Sequence, residues 1–185
     1  MIYFSLCDIL ILVQRGLNEP GQDWKIAAIS STLVCTFFMG EINMKYLYKL
    51  KKEVSEASAN GDVPNAAIIL KDGVLVSSAH NEIFLTKIPL FHAEILAIFR
   101  AAFKLRTFNL SGCVMYTTLE PCDLCRAAIK TVRMKKVYYF LECEKDTEDD
   151  VEYIKKDLKP EDEAYFKEKL QYFFNVKRSN TKDRY

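Results

Sequence analysis

Thr117-Thr118-Leu119-Glu120-Pro121-Cys122-Asp123-Leu124-Cys125 reads as the end of one buried strand and the start of a helix, and His92-Ala93-Glu94 stands thirty residues upstream of Cys122. Proline is pre-set for a first helical turn, and thiolates at a helix N-terminus are stabilised by unpaired N–H groups and the helix dipole. Two thiolates and one imidazole give a zinc ion three protein ligands. Structural zinc sites usually close with four, so the set His92, Cys122 and Cys125 leaves one tetrahedral corner for solvent. Glu94 is too near His92 in sequence for ordinary joint ligation and is the right type of group to move protons. Two residues turn a helix through about 200°, so the pair can serve one pocket only at the helix's first turn.

The chain has 185 residues, half of them apolar, enough for one domain with a sizeable core and little more. Six cysteines, with no convincing secretory signal, suit a reducing, cytoplasmic interior better than a disulfide framework. Cys7, Cys35, Cys113 and Cys143 are expected to be packing residues. The net charge of +1 conceals a split, because residues 142–163 hold eleven acids and four bases. Residues 44–141 and 164–185 together hold twenty Lys and Arg against ten Asp and Glu. That excess suits a polyanionic partner or, equally, solvated helix faces.

Residues 1–43 form an extension of a different character: an apolar start from Ile2 to Val13, a turn-rich middle and a second apolar run from Ile26 to Met39. Neither run reaches the roughly 18–20 residues of a membrane span, so no span is expected, although a weak interfacial anchor remains compatible with them. The working division is an extension over 1–43, a domain over 44–178 and a basic tail over 179–185. From Met44, Leu47, Leu50, Val54 and Ala57 recur at helical spacing. Ala66–Leu70 and Val74–Val76 around Asp72-Gly73 predict a hairpin. A helix is expected over Leu90–Leu105, a strand over Cys113–Leu119, a helix over Cys122–Val132 and a strand over Lys136–Leu141. After the acidic loop Glu142–Asp150, a short strand over Val151–Ile154 and a helix over Glu161–Asn175 follow. This order implies an α/β fold with a mixed sheet of about five strands flanked by helices, parallel in its second half. Ligands then belong at the helix N-termini along one edge of the sheet.

His-x-Glu followed by Pro-Cys-x-x-Cys is the pattern of zinc nucleobase deaminases, in which the Glu is acid and base and not a ligand. Around it stand Asn60-Gly61-Asp62-Val63-Pro64, Ala79-His80-Asn81, His92-Ala93-Glu94-Ile95-Leu96, Thr118-Leu119-Glu120-Pro121-Cys122, and Phe173-Phe174 with basic residues after them. From Met44 to Arg178 this resembles the bacterial tRNA-specific adenosine deaminases. The resemblance implies a three-layer α/β/α cytidine-deaminase-like fold and one zinc per subunit on His92, Cys122 and Cys125. It also implies Glu94 as the proton shuttle, Asn81 against the flipped nucleoside and a homodimer. Where that family usually has Asp-Pro-Thr-Ala before the metal histidine, this chain has Ile88-Pro89-Leu90-Phe91, a greasier and bulkier rim in which Pro89 and Phe91 are candidate substrate contacts.

The activity this implies is hydrolytic deamination of adenosine to inosine at the wobble position of a tRNA anticodon loop. Lys177 and Arg178, just after the last expected helix, are candidate RNA-phosphate contacts. A deaminase of a small substrate, such as guanine, cytosine or a cytidine nucleotide, would carry the same metal motif. A non-catalytic zinc-stabilised RNA-binding or partner subunit should lack the shuttle that Glu94 provides. His80 is expected to be a turn or core residue, Glu120 structural, and Tyr138-Tyr139-Phe140 a buried strand.

Overall fold

Ala66-Ala67-Ile68-Ile69-Leu70 has no polar residue to turn towards water, and all five are buried, Ala66 to Ile69 completely. A strand of that kind must be covered on both faces. The computed structural model, which describes residues 43–142 and 151–182, places it inside a five-stranded sheet. By its contacts the chain divides into Met1–Glu41 and Ile42–Tyr185, and the described residues belong to the second unit. The expectations for residues 1–42, for Cys143 and for most of the acidic loop lie outside the described residues, as does the end of the basic tail at 183–185.

The elements in order are α1 (Met44–Ala59), β1 (Ala66–Lys71), β2 (Val74–His80), α2 (Ile83–Thr86), α3 (Ala93–Leu105), β3 (Cys113–Leu119), α4 (Asp123–Thr131), β4 (Lys136–Leu141), β5 (Glu152–Lys155) and α5 (Pro160–Lys182). The sheet order is β2-β1-β3-β4-β5. β1 runs antiparallel to β2 and β3, whereas β3, β4 and β5 are mutually parallel. The hairpin closes on Asp72 and Gly73, both at positive φ (50° and 73°), the backbone that a two-residue turn between twisted strands requires. The parallel strands need crossovers, and α4 supplies one between β3 and β4.

Neighbouring β1 residues serve different cores. Ala67 and Ile69 pack with Leu96, Ala97 and Ala101 of α3, Met115 of β3 and Ile129 of α4. Ala66, Ile68 and Leu70 pack with Leu47, Leu50 and Val54 of α1 and Phe166 of α5. Three layers result: α3 and α4, the sheet, then α1 and α5. Phe166 stacks on Phe140 of β4 with ring centroids 6.3 Å apart, and Cys113 is a core residue, as expected.

The strands over 113–119 and 136–141 have the bounds read from the sequence; the helices differ more. α3 begins at Ala93 and not at Leu90, because Phe91 N–H bonds to Ile88 O (3.2 Å) and His92 N–H to Leu90 O (2.9 Å), a turn that uses up the backbone before the helix. α5 runs on past Asn175 to Lys182. The short α2 depends on a partner far away in sequence: buried Asp62 accepts from the backbone N–H groups of Phe84 (2.7 Å) and Leu85 (3.1 Å). Among the described residues no helix is long and apolar enough to cross a membrane.

A buried polar knot ties α1 to β2. Glu53 accepts from Ser78 Oγ (2.7 Å) and Lys49 Nζ (2.8 Å) on one oxygen and faces His80 Nδ1 (2.7 Å) on the other. Burial pushes the Glu53 carboxyl up, but the bonds from His80, Lys49 and Ser78 outweigh it and hold it at about 2, below the ordinary 4.5. The folded value lies below the unfolded one, so this carboxylate stabilises the fold fully above about pH 4.5 and loses that contribution as the pH falls towards 2. In urea unfolding followed by circular dichroism, Glu53→Gln is expected to flatten the pH dependence of stability across that window. It is also expected to lower stability at pH 7 by about 1–3 kcal/mol.

Candidate active site

At one end of the sheet, Ala66 pairs with His80 and Ala67 with Thr117. That register puts the residue before β1 (Asn65), the residue after β2 (Asn81) and the last residues of β3 at the same place. Both α3 and α4 begin there.

His92 is the residue just before α3, with an extended backbone (φ −72°, ψ 150°), and Ala93 is the first helical residue. This change of conformation answers the spacing problem, because His92 leaves the chain before the helical twist starts and Glu94 lies in the first turn. Asn81 secures the junction: its Oδ1 accepts from Ala93 N–H at 2.8 Å, satisfying one of the amides a helix start leaves open. Cys122 stands in the same relation to α4, again extended (φ −71°, ψ 169°), with Cys125 in the first turn. Arg126 braces this loop, donating from Nε to Pro121 O (3.1 Å) and from an η-nitrogen to Glu120 (2.7 Å). Glu120 is therefore structural, as expected, and His80 is taken up by Glu53.

His92 Nδ1 lies 3.7 Å from Cys122 Sγ and 3.5 Å from Cys125 Sγ. A tetrahedral zinc with sulfur at about 2.3 Å and nitrogen at about 2.0 Å holds those atoms about 3.5 Å apart. The three residues thus fit such an ion in donor type and in spacing. Pro89 is exposed at the rim.

Glu94, 2 % exposed, puts Oε2 3.4 Å from Cys125 Sγ. Its other oxygen accepts from Asn65 Nδ2 (3.1 Å) and Thr117 Oγ1 (3.1 Å). Burial pushes the Glu94 carboxyl above its usual range, against the bonds from its own amide, Asn65, Cys125 and Thr117. The Cys122 thiol is drawn down to about 3, first by the hydrogen bond from Cys125 and then by His92. Cys125 is pushed up, because it donates to Cys122 and because it is buried. His92 is raised, mainly by its bond to Cys122.

Asn65 and Thr117 are site residues that the motif reading passed over. The signal was present, since a polar side chain at the entry to a strand buried on both faces must find partners. Phe91 is half-buried and packs on the α3 core, directly before His92. Lys177 lies over the Phe84 ring (3.8 Å) and beside Phe173 (5.4 Å), so α5 meets α2 at the rim, while Arg178 is exposed.

A profile of the MafB19-like deaminase family matches residues 42–178. The chain is 44% identical over 88 residues to the tRNA-specific adenosine deaminase of Aquifex aeolicus, covering 48% of this chain and 58% of that one. It is 38% identical over 79 residues to the guanine deaminase of Bacillus subtilis, covering 43% and 51%. It thus spans a little over half the length of these relatives. Among solved structures, one from studies of A-to-I editing by tRNA:A34 deaminases superposes with a TM-score of 0.51 at 31% identity, over 54% of this chain and 78% of that one. The guanine deaminase of Bacillus subtilis superposes with 0.50 at 32% identity, over 55% and 66%.

One zinc per chain is expected in titrations against a chromophoric chelator, and Cys122→Ser is expected to weaken it at least about tenfold. Binding must expel the protons that Cys125 and His92 hold above their usual values, so affinity should fall as the pH is lowered.

Proposed function

The chain belongs to the MafB19-like deaminase family, and on that premise we propose that it hydrolyses the exocyclic amine from adenosine at the wobble position of a tRNA anticodon loop, giving inosine and ammonia. The observation that carries the chemistry is a buried carboxylate oxygen, Glu94 Oε2, 3.4 Å from one sulfur of the His92, Cys122 and Cys125 triad. A subunit that only used zinc to hold its fold would have no need of a carboxylate buried there. Zinc on those three residues would supply Lewis acidity, bringing the pKa of a water towards about 7. Glu94 Oε2 takes a proton from the attacking water and passes it to the purine nitrogen beside C6. It then takes the proton of the hydroxyl added at C6 and delivers it to the departing amine, which leaves as ammonia. Asn81 spends Oδ1 on Ala93, which leaves its Nδ2 to orient the base.

RNA as substrate is supported by what the Aquifex aeolicus relative and the A-to-I editing structure are said to act on, and by the excess of Lys and Arg outside residues 142–163. A loop nucleotide is already poorly stacked, so extruding it costs only a few kcal/mol. Lys177 and Arg178 would meet backbone phosphate beyond the rim. Such an enzyme works in the cytoplasm. It would pair as a homodimer, for which Phe99 and Phe103, one turn apart on α3 and 69% and 81% exposed, offer apolar surface. The second reading is a free-base deaminase. The likeness to guanine deaminase favours it, as does the apolar rim of Leu85, Ile88 and Leu90.

A transcript with A at the wobble position is expected to gain inosine when incubated with the zinc-loaded protein, whether full-length or started at Met44. Free guanine and cytidine assayed in parallel should release no ammonia, and release from guanine alone would establish the second reading. Glu94→Ala is expected to keep zinc and lose about 10²–10⁴-fold in turnover; a fully active Glu94→Ala protein would exclude the mechanism.

A further inference from the structure

Asn65 is 5% exposed and precedes β1. Its amide orientation follows from its neighbours. Leu119 N–H, 3.2 Å away, can only donate, so the atom facing it is Oδ1, which Thr118 Oγ1 also meets at 2.7 Å. Nδ2 is thereby turned onto Glu94 Oε1 at 3.1 Å. Thr117 Oγ1 reaches the same oxygen at 3.1 Å. Asn65 O accepts from Asn81 N–H at 3.1 Å, so this one residue is bonded to the end of β3, to Glu94 and to the residue that caps α3.

We propose that Asn65, seconded by Thr117, is a positioning residue that makes the two oxygens of Glu94 inequivalent, locking Oε1 so that only Oε2 serves as proton carrier; this rests on the deaminase reading above. A free carboxylate rotates about its last bond and presents either oxygen. Here two donors converge on Oε1 of a buried carboxylate, and the plane of the group is fixed with Oε2 on the Cys125 side. The β3 contacts fix Asn65 in turn, since its Oδ1 bonds to the backbone of a central strand and cannot swing without leaving Leu119 N–H buried and unpaired.

Asn65→Asp tests this, because it keeps an oxygen for Leu119 and Thr118 and removes the donor to Glu94. With zinc-loaded protein and whichever substrate the wild type accepts, kcat is expected to fall about 10- to 100-fold while KM stays within about threefold and zinc content is unchanged. A kcat within about twofold of wild type would overturn the proposal. Should Asn65→Asp fail to fold, Thr117→Val removes the second donor and leaves Asn65 anchored. It is then expected to lower kcat about five- to tenfold at constant KM, and no change in kcat would overturn the proposal. A wild type inert towards both RNA and guanine would refute the proposed function. The contact is then decided by a urea double-mutant cycle of Asn65→Ala with Glu94→Ala. Non-additivity of about threefold or more in the folding equilibrium supports it, and additivity overturns it.

Discussion

An abrupt change of backbone conformation, from extended at His92 to helical at Ala93, is the constraint on which the site depends. A histidine already inside the helix would point roughly away from Glu94. A helix begun one turn earlier, at Leu90, would have carried it there. The turn at Ile88 to Phe91 prevents this by consuming the local amides, and the Asn81 side chain then takes the Ala93 amide. Cys122 repeats the arrangement on α4. Two helix starts therefore aim their open N–H ends and positive dipole ends at the same three donor atoms, which favours the anionic sulfur that a metal requires.

The sheet makes the two starts neighbours. β1 lies between β2 and β3 and runs against both, so the chain leaves β2 and β3 at the same end and each departure leads into a helix. The polar residues at that end form one connected set. Asn65, Asn81, Glu94, Thr117 and Thr118 bond to one another or to the backbone beside them. All five residues are buried, so each bond is stronger than it would be in water and each unpaired group would cost more.

Much of this was legible from residue types. The run at 66–70, with no polar residue, read as a strand buried on both faces, those at 113–119 and 136–141 read as strands, and Asp72-Gly73 read as a tight turn. That His92, Glu94, Cys122 and Cys125 belong together was readable from the His-x-Glu and Pro-Cys-x-x-Cys motifs; that they meet at two helix starts was not, because a spacing of two residues does not by itself put His92 and Glu94 on one face. What escaped reading depends on partners distant in sequence. α2 exists because Asp62 caps it, and no local pattern announces a four-residue helix. Asn65 has no motif of its own; its role appears only when β1 is laid beside β3, Glu94 and Asn81.

The alternation along β1 has a consequence for how such a chain can change over time. Adjacent residues of that strand answer to separate cores, so a volume change among Leu47, Leu50, Val54 and Phe166 is absorbed on the side of the sheet remote from the reactive groups. The α1 and α5 layer can therefore drift, lengthen or acquire new surface chemistry under weak selection while the opposite layer is held fast. Divergence in what the protein recognises would then outpace divergence in what it does.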